Sequence, residues 1–238
     1  MRKTYKLLLV LLSIAVVAAF AFYLEISSRT FQFYGSITSC VPTTEKVVAL
    51  TFDDGPSAYT REVLDVLVQN KVRATFFLIG SELEQHMEEG RLLIQAGEEI
   101  GNHSYSHNRL VFKAYATIKR EVDKTDSLIR AVGYQGEILF RPPGCKKFIG
   151  LPHYLDEVGK KTITWDVEPE SYAETRQSAE RIIQYVTAHT KPGSIILLHV
   201  MTGSAGESRR SLDGIIKGLH AKGYKFVTVS ELLHLKKS

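Results

Sequence analysis

The sequence predicts an α/β fold arranged as a closed or nearly closed (β/α) barrel, with a doubly wound open sheet as the alternative. The first observation is a regular alternation of apolar runs with amphipathic stretches from Lys46 onward. Such alternation is typical of parallel strands joined by crossover helices. The second observation is that seven strand candidates lie between residues 46 and 238, which favours a barrel. No internal repeat and no second domain are apparent.

The candidate elements alternate as strand and helix along the chain. The first strand, 47–52, is apolar almost throughout, which is typical of a strand buried on both faces of a parallel sheet. The strand candidates are 47–52, 74–79, 99–103, 138–141, 162–167, 194–199 and 225–229. The helix candidates are about 60–70, 81–96, 113–132, 150–159, 175–190 and 208–222.

Side chains that can carry chemistry collect at the carboxyl ends of these strands. They are Asp53 and Asp54 at the end of the first strand, His103 and His107 at the end of the third, Arg141 at the end of the fourth, Trp165, Asp166 and Glu168 at the end of the fifth, and His199 at the end of the sixth. Barrel enzymes carry their catalytic residues at this end. A turn with two solvated acids would not explain the clustering, so the pattern predicts an active site.

The segment TFDDGP poses a geometric question. Adjacent strand residues point to opposite faces, so Asp53 and Asp54 cannot share a face unless the backbone leaves the strand between them. Gly55-Pro56 comes next and turns the chain. We therefore expect the two carboxylates to reach one cavity.

His103 and His107 have a spacing that suits a metal ion. On a helical turn, positions i and i+4 lie on one face, so both imidazoles can reach one ion. Two neutral imidazoles and one carboxylate form a common set for a divalent metal, with open positions for water and substrate. The pair therefore predicts a metal site together with the Asp53-Asp54 segment.

The net charge of +4 is concentrated at the amino-terminus. Residues 1–30 contain four basic residues and one acidic residue, so the rest of the chain carries a net charge of only +1. This distribution argues against a nucleic-acid partner.

Basic residues precede an uncharged apolar run at 7–24. At 1.5 Å per residue a helix of about 18 residues spans roughly 27 Å, close to a bilayer core. The run favours an uncleaved signal-anchor, so that the protein crosses the cell membrane once; cleavage near Ala19-Phe20-Ala21 and secretion is the alternative. Either way the positive-inside rule places the chain beyond the run outside the cytoplasm. We divide the chain into this segment (1–24), a linker (25–45) and a catalytic domain (46–238).

Two cysteines, Cys40 and Cys145, lie beyond the apolar run. Export permits a disulfide bond, but a single pair in a chain of this size is not a disulfide framework. Two independent thiols are the favoured interpretation.

The motifs at the strand ends resemble those of the polysaccharide deacetylases, carbohydrate esterase family four. TFDDGP, HSYSH, RPP and LLH match four of the family's motifs, and WDVEPESY lies where the remaining motif belongs. The resemblance covers about 46–233. It implies a distorted seven- or eight-stranded barrel, one divalent metal ion (often zinc; cobalt, nickel or manganese are alternatives), and removal of acetyl groups from N-acetylated sugars.

The resemblance also implies a division of roles. Asp54, His103 and His107 correspond to the metal ligands, while Asp53 corresponds to the general base and His199 to the general acid. Metal-bound water loses its proton readily, so a neighbouring carboxylate can act as a base at neutral pH. The leaving amine needs a proton, which an imidazolium can supply.

The resemblance assigns supporting roles to two further side chains. Arg141 is expected to hold Asp53 ionised through a charge-assisted pair. Glu168 is expected to pair with His199 and hold it protonated. A backbone N–H just after Pro143 is expected to stabilise the oxyanion.

Two motifs depart from the family pattern. Gly144 stands where the third motif has an aromatic residue, and Cys145 comes after it. The fourth motif has Glu168, Ser171 and Tyr172 at places where acids and a tryptophan are usual, so the sugar pocket is expected to differ. The residues predicted to contact substrate are Pro143, Gly144, Trp165 and Tyr172, with a core position as the alternative for Trp165.

The sequence therefore predicts a metal-dependent hydrolase of an envelope or exported polysaccharide, with N-acetylglucosamine as the favoured acetylated sugar. Two alternatives stay open: an O-acetyl ester hydrolase, and a non-catalytic glycan-binding descendant of the fold. The expected partners are the acetylated polysaccharide and the membrane. The pattern specifies neither the polymer nor the oligomeric state.

Overall fold

The structure is a computed structural model that describes residues 2–235. A long amino-terminal helix precedes alternating strands and helices. The helices are α1 (Arg2–Ser27), α2 (Thr60–Asn70), α3 (Gly80–Gln85), α4 (Met87–Gln95), α5 (Tyr115–Ala131), α6 (Gly150–Glu157), α7 (Ala179–His189), α8 (Gly206–Ala221) and α9 (Val229–His234). The strands are β1 (Ile37–Thr38), β2 (Val47–Asp53), β3 (Thr75–Leu78), β4 (Glu99–Asn102), β5 (Thr162–Ile163), β6 (Ile195–Leu198) and β7 (Lys225–Val227).

The strands pair in parallel, as the alternating pattern predicts. A five-stranded sheet has the order β4-β3-β2-β6, with β7 also paired to β2, and β1 pairs with β5 in a separate two-stranded sheet. The prediction of a barrel is not confirmed, because these ladders do not close. Outside the ladders, single-residue parallel bridges connect the two sheets. Phe140 bridges to Asn102 of β4 and to Thr162 of β5, and Val167 bridges to Ile196 of β6.

The two strands on the open side are shorter than the sequence predicts. The candidate at 138–141 contributes only the bridge at Phe140, and the candidate at 162–167 forms β5 over two residues. Pro142 and Pro143 lack the N–H that a longer ladder needs. A strand the sequence analysis missed, β1, lies within the expected linker.

Strand β2 positions the first two candidate catalytic carboxylates. All of its residues are buried. Leu50 and Phe52 pack in the larger core cluster, beneath the helices, while Val47 and Ala49 pack in a second cluster. Since side chains alternate along a strand, Asp53 continues the face of Val47 and Ala49.

Helix α1 contains a stretch, Leu8–Ser27, that is long and apolar enough to cross a membrane, with mean hydropathy 2.4. The next segment, 25–45, was expected as a linker, but it packs against the rest of the chain. β1 pairs with β5, and Val41 is buried. The domain boundary at residue 46 stays a prediction.

Candidate active site

Asp53 and Arg141 form a buried ion pair at the end of β2. Arg141 Nη1 donates to Asp53 Oδ1 at 2.6 Å and to Thr51 Oγ1 at 2.9 Å. Its Nη2 also donates to the carbonyl of Thr164 at 3.1 Å. Burial raises the pKa of Asp53, but Arg141, His103 and His199 together lower it below its usual value. The Asp53 carboxylate is therefore ionised and held in one orientation.

Asp54 turns out of the strand, as the TFDDGP segment predicts. Its backbone is left-handed, with φ of 70°, and so is that of Gly55, with φ of 67°. A Cβ at Gly55 would lie 2.8 Å from Met201 Cγ, so both the conformation and the close approach require glycine there. The reversal lets Asp53 and Asp54 serve neighbouring parts of one site.

Asp54, His103 and His107 bring their ligand atoms within 4.8 Å of one another. His107 Nε2 lies 3.5 Å from Asp54 Oδ1, and the two imidazole rings lie 4.9 Å apart. Asp54 Oδ1 is buried without a hydrogen-bond partner among the described residues. Leaving a buried carboxylate oxygen without a partner is costly unless a cation meets it. The three side chains therefore fit a divalent metal ion.

His103 is held in the tautomer that a metal ligand needs. Its Nδ1 lies 2.7 Å from the carbonyl oxygen of Arg141. Since a carbonyl oxygen only accepts, Nδ1 carries the proton and Nε2 keeps its lone pair. Burial holds the pKa of His103 below its ordinary value, against the opposing effect of Asp53 and Asp54. The ring is therefore neutral at neutral pH.

His103 and His107 converge through a loop, so the prediction of a helical turn is wrong. Ser104 and His107 both have left-handed φ, 65° and 56°. The loop is fixed from α5, where one carboxylate oxygen of Glu121 accepts the amides of Tyr105 at 3.1 Å and Ser106 at 2.8 Å. Sequence reasoning missed Glu121, since its partners are backbone groups in another element.

His199, at the end of β6, is paired with Glu170. Its Nδ1 lies 2.5 Å from Glu170 Oε2, and its backbone N–H donates to the same oxygen at 3.0 Å. Burial lowers the pKa of His199, but the hydrogen bond with Glu170 and the nearby Asp53 outweigh it, which raises the pKa to about 9. The imidazole is therefore protonated at neutral pH.

The prediction that Glu168 pairs with His199 is wrong. Glu168 accepts from Trp165 Nε1 at 2.8 Å and from Arg29 Nη2 at 2.5 Å. A short 3-10 turn over Pro169–Ser171 reverses the chain, so the carboxylate that meets β6 is the one two residues later. Trp165 is buried, and the Arg29 guanidinium lies 4.8 Å from its ring centroid.

A cavity of about 330 Å³ is shared by Asp53, His103, His107 and His199. Asp54 lines a neighbouring cavity of about 240 Å³, which also contains His107, so the expectation that the two acids reach one cavity is not confirmed. The walls of the first cavity are formed by Ser27, Arg29, Asp53, His103, His107, Gly144, Cys145, Trp165, Glu168, Ser171 and His199. Two of the four predicted substrate residues, Gly144 and Trp165, are among them. Pro143 lines an adjoining cavity of about 530 Å³ instead. Tyr172 lines none of these cavities, and its ring packs 5.1 Å from that of Tyr185.

The turn at Pro143–Cys145 presents one uncommitted backbone donor. The amides of Cys145 and Lys146 donate to the carbonyls of Pro142 and Pro143. Within residues 2–235, no hydrogen bond engages the N–H of Gly144, which also lines the catalytic cavity. Cys145 and Cys40 are free thiols, and burial raises the pKa of Cys145.

Comparison with known proteins decides the family. The polysaccharide deacetylase family profile matches residues 41–158. A peptidoglycan-N-acetylglucosamine deacetylase of Bacillus cereus is 36% identical over 204 residues, which cover 85% of this chain and 95% of that protein. The chain belongs to the polysaccharide deacetylase family. This confirms the resemblance that the strand-end motifs indicate, and with it the prediction of a polysaccharide deacetylase enzyme.

Two other similar proteins extend the comparison. The peptidoglycan-N-acetylmuramic acid deacetylase PdaC of Bacillus subtilis is 34% identical over 195 residues. These residues make up 81% of this deacetylase and 40% of PdaC. The crystal structure of a peptidoglycan N-acetylglucosamine deacetylase bound to an N-oxidanyl-benzamide superposes with a TM-score of 0.76 at 32% identity. The superposed residues make up 82% of this deacetylase and 91% of the chain in the crystal structure. The α/β fold is thus shared with solved deacetylases.

Proposed function

We propose that this deacetylase is a metal-dependent hydrolase that removes the acetyl group from N-acetylglucosamine residues of peptidoglycan outside the cytoplasm. The observation that carries the proposal is the convergence of a three-ligand set with an ionised carboxylate and a protonated imidazole, in two neighbouring cavities that share His107. Hydrolysis of an unactivated amide needs all three: an electrophilic centre, a base for water and an acid for the amine.

The donor set suits zinc or another divalent ion of similar preference. Asp54 would contribute a carboxylate oxygen, and His103 and His107 one ring nitrogen each. When bound, the ion polarises the acetyl carbonyl and lowers the pKa of a water molecule. Three protein ligands leave positions open for water and substrate, as in catalytic rather than structural sites.

Asp53 is the base in this mechanism. Its ion pair with Arg141, made through Oδ1, keeps it ionised. The same pair directs its other oxygen, Oδ2, toward His103, where it lies 3.6 Å from Nε2. The water adds to the acetyl carbon as Asp53 accepts its proton. The N–H of Gly144 would donate to the oxyanion that forms; its lining of the catalytic cavity, without a hydrogen-bond partner among the described residues, supports this role.

His199 is the acid. Its proton passes to the sugar nitrogen as the C–N bond breaks, so acetate and a free amine leave. Glu170 keeps the imidazole protonated and oriented before the step. Glu168 would act on the pocket wall by positioning Arg29 and Trp165.

The substrate assignment draws on what similar proteins are named for. The relatives from Bacillus cereus and Bacillus subtilis are named for peptidoglycan N-acetylglucosamine and N-acetylmuramic acid. An amino-terminal apolar helix with basic residues before it supports export and attachment to the cell membrane. We favour N-acetylglucosamine because the Bacillus cereus relative, of which this chain covers 95%, is named for it.

The test is acetate release by the full chain, loaded with zinc, from a panel of glycans. The panel contains peptidoglycan, N-acetylchitooligosaccharides and an O-acetylated xylan. Release from the first two, lost in Asp53→Asn, supports the proposal. Release from the xylan alone would favour the ester hydrolase. Binding to peptidoglycan with no release from any glycan would favour the non-catalytic alternative.

A further inference from the structure

The end of the apolar helix α1 reaches the catalytic cavity directly. Ser27, its last residue, and Arg29 both line the cavity that contains Asp53 and His199. The stretch long enough to cross a bilayer ends at the same Ser27. If α1 crosses the membrane as proposed, Ser27 lies at the bilayer surface and also lines the cavity. The cavity therefore opens close to that surface, with no extended linker between the two.

Several contacts hold α1 against the catalytic part of the chain. Phe22 stacks on Phe112 at 5.6 Å and meets Phe148 edge-on at 4.8 Å. The amide of Lys147 donates to the carbonyl of Ile26 at 3.0 Å. These contacts orient the catalytic part relative to the helix, so they also determine which surface faces the membrane.

An exposed apolar surface lies beside this junction. We call it the apolar collar: Phe31, Phe33, Phe112 and Ile149. Phe112 is 75% exposed, and the other three are between 44% and 48% exposed. The rings of Phe33 and Phe112 both pack on Phe148, at 5.5 and 5.7 Å. Because Phe22 of α1 also packs on Phe148, the collar is continuous with the carboxyl-terminal end of α1. Large exposed aromatic groups side by side are unusual on a surface that faces only water.

Basic side chains border the collar. Arg109 and Lys113 flank Phe112 in sequence, and both are exposed. Neither forms an ion pair with another described residue. Aromatic rings next to basic groups match the chemistry of a bilayer surface, where rings enter the headgroup region and Arg and Lys pair with lipid phosphate groups.

We propose that the apolar collar rests on the outer surface of the bilayer, so that the catalytic cavity opens beside the lipid headgroups. The occupant of the collar is an anionic phospholipid surface, and the argument for it is continuity with α1. As a consequence, which rests on the proposed function, the enzyme acts on glycan held at the membrane in preference to glycan in free solution. Orientation by the bilayer raises the local concentration of such glycan at the cavity.

The experiment uses the full chain in vesicles of phosphatidylcholine and phosphatidylglycerol whose acyl chains carry bromine, a short-range quencher of tryptophan fluorescence. Phe112→Trp places a reporter in the collar. Val68→Trp is the matched control, since Val68 on α2 is 63% exposed and far from the collar in sequence. The native Trp165 is buried and contributes the same background to both.

The proposal predicts at least two-fold quenching of the Phe112→Trp reporter and none of the Val68→Trp reporter. It also predicts that Phe33→Ser with Phe112→Ser lowers acetate release from a lipid-linked N-acetylchitooligosaccharide in the vesicles by three-fold or more. Release from the soluble oligosaccharide should stay unchanged.

The outcomes separate this inference from the proposed function. An unquenched Phe112→Trp reporter, or equal quenching of both reporters, overturns the docking of the collar even if acetate is released. Selective quenching without acetate release from any glycan upholds the docking and overturns the deacetylase function. Equal loss of release from lipid-linked and soluble glycan in the double variant contradicts the role of the collar in substrate access.

Discussion

The two halves of the site differ in how their side chains are held. At the ends of β2 and β4, Asp53 and His103 are buried and fixed by a guanidinium and a carbonyl. After β5 and at the end of β6, His199 is about one third exposed, and its partner Glu170 comes from a short 3-10 turn. The first half is a rigid extension of the sheet. The second depends on a turn, so we expect it to vary more readily among related chains.

The largest effect should come from removing a ligand in the rigid half. His103→Ala leaves two ligands and a buried void, so the bound metal and acetate release should both be lost. His86→Ala is the control, because His86 lies outside the cavity at the junction of α3 and α4. Metal content by elemental analysis and acetate release are measured together. Full metal content in His103→Ala would show that the ligand assignment is wrong.

The second half is tested by its pH dependence. His199 must be protonated to act, so activity should persist up to about pH 9 and fall as the pH rises through that value. Glu170→Gln removes the carboxylate, and the pKa of His199 should then fall toward its ordinary value of about 6.5. The pH at which activity falls on the alkaline side should therefore decrease by more than one pH unit. Turnover measured from pH 5 to 10 in both proteins checks this.

Glu168→Gln is the matched control for that measurement. Glu168 contacts Arg29 and Trp165, so this variant should change the binding of glycan and leave the alkaline fall in activity near its original pH. A shift in Glu168→Gln without one in Glu170→Gln would restore the pairing that the sequence predicts and contradict the structure.

A smaller effect is expected behind the rigid half, where Glu121 holds the loop between His103 and His107. Glu121→Gln keeps one acceptor but loses the charge that strengthens its bonds to the Tyr105 and Ser106 amides. Metal affinity should fall by about ten-fold, the usual effect of losing a group that orients ligands. Glu84→Gln, at an exposed carboxylate that contacts the Tyr105 hydroxyl, should leave affinity unchanged. Equal metal affinities in the unmodified protein, Glu121→Gln and Glu84→Gln would show that Glu121 does not orient the metal ligands.

The same comparison explains what the sequence could predict. Asp53 and Asp54 come at the end of a plain apolar run, and the paired histidines come at the end of a strand candidate indicated by the alternation of strands and helices. Their meeting at one edge is a consequence of parallel pairing. Glu170 and Arg29 could not be predicted in this way. Their positions depend on a 3-10 turn and on a segment expected as a linker, and neither has a hydrophobic period. The short strands near Phe140 and β5 were overestimated for a related reason, since prolines and side-chain hydrogen bonds replace the ladder there.

The central claim is that two neighbouring acids have separate tasks, proton transfer for Asp53 and metal binding for Asp54. The most direct test measures metal content and turnover in Asp53→Asn and Asp54→Asn side by side. Asp53→Asn should keep the metal while turnover falls by about 10²–10⁴, the usual contribution of a positioned general base. Asp54→Asn should lose metal affinity, and excess metal should partly restore its turnover. Equal loss of metal in both variants would contradict the claim.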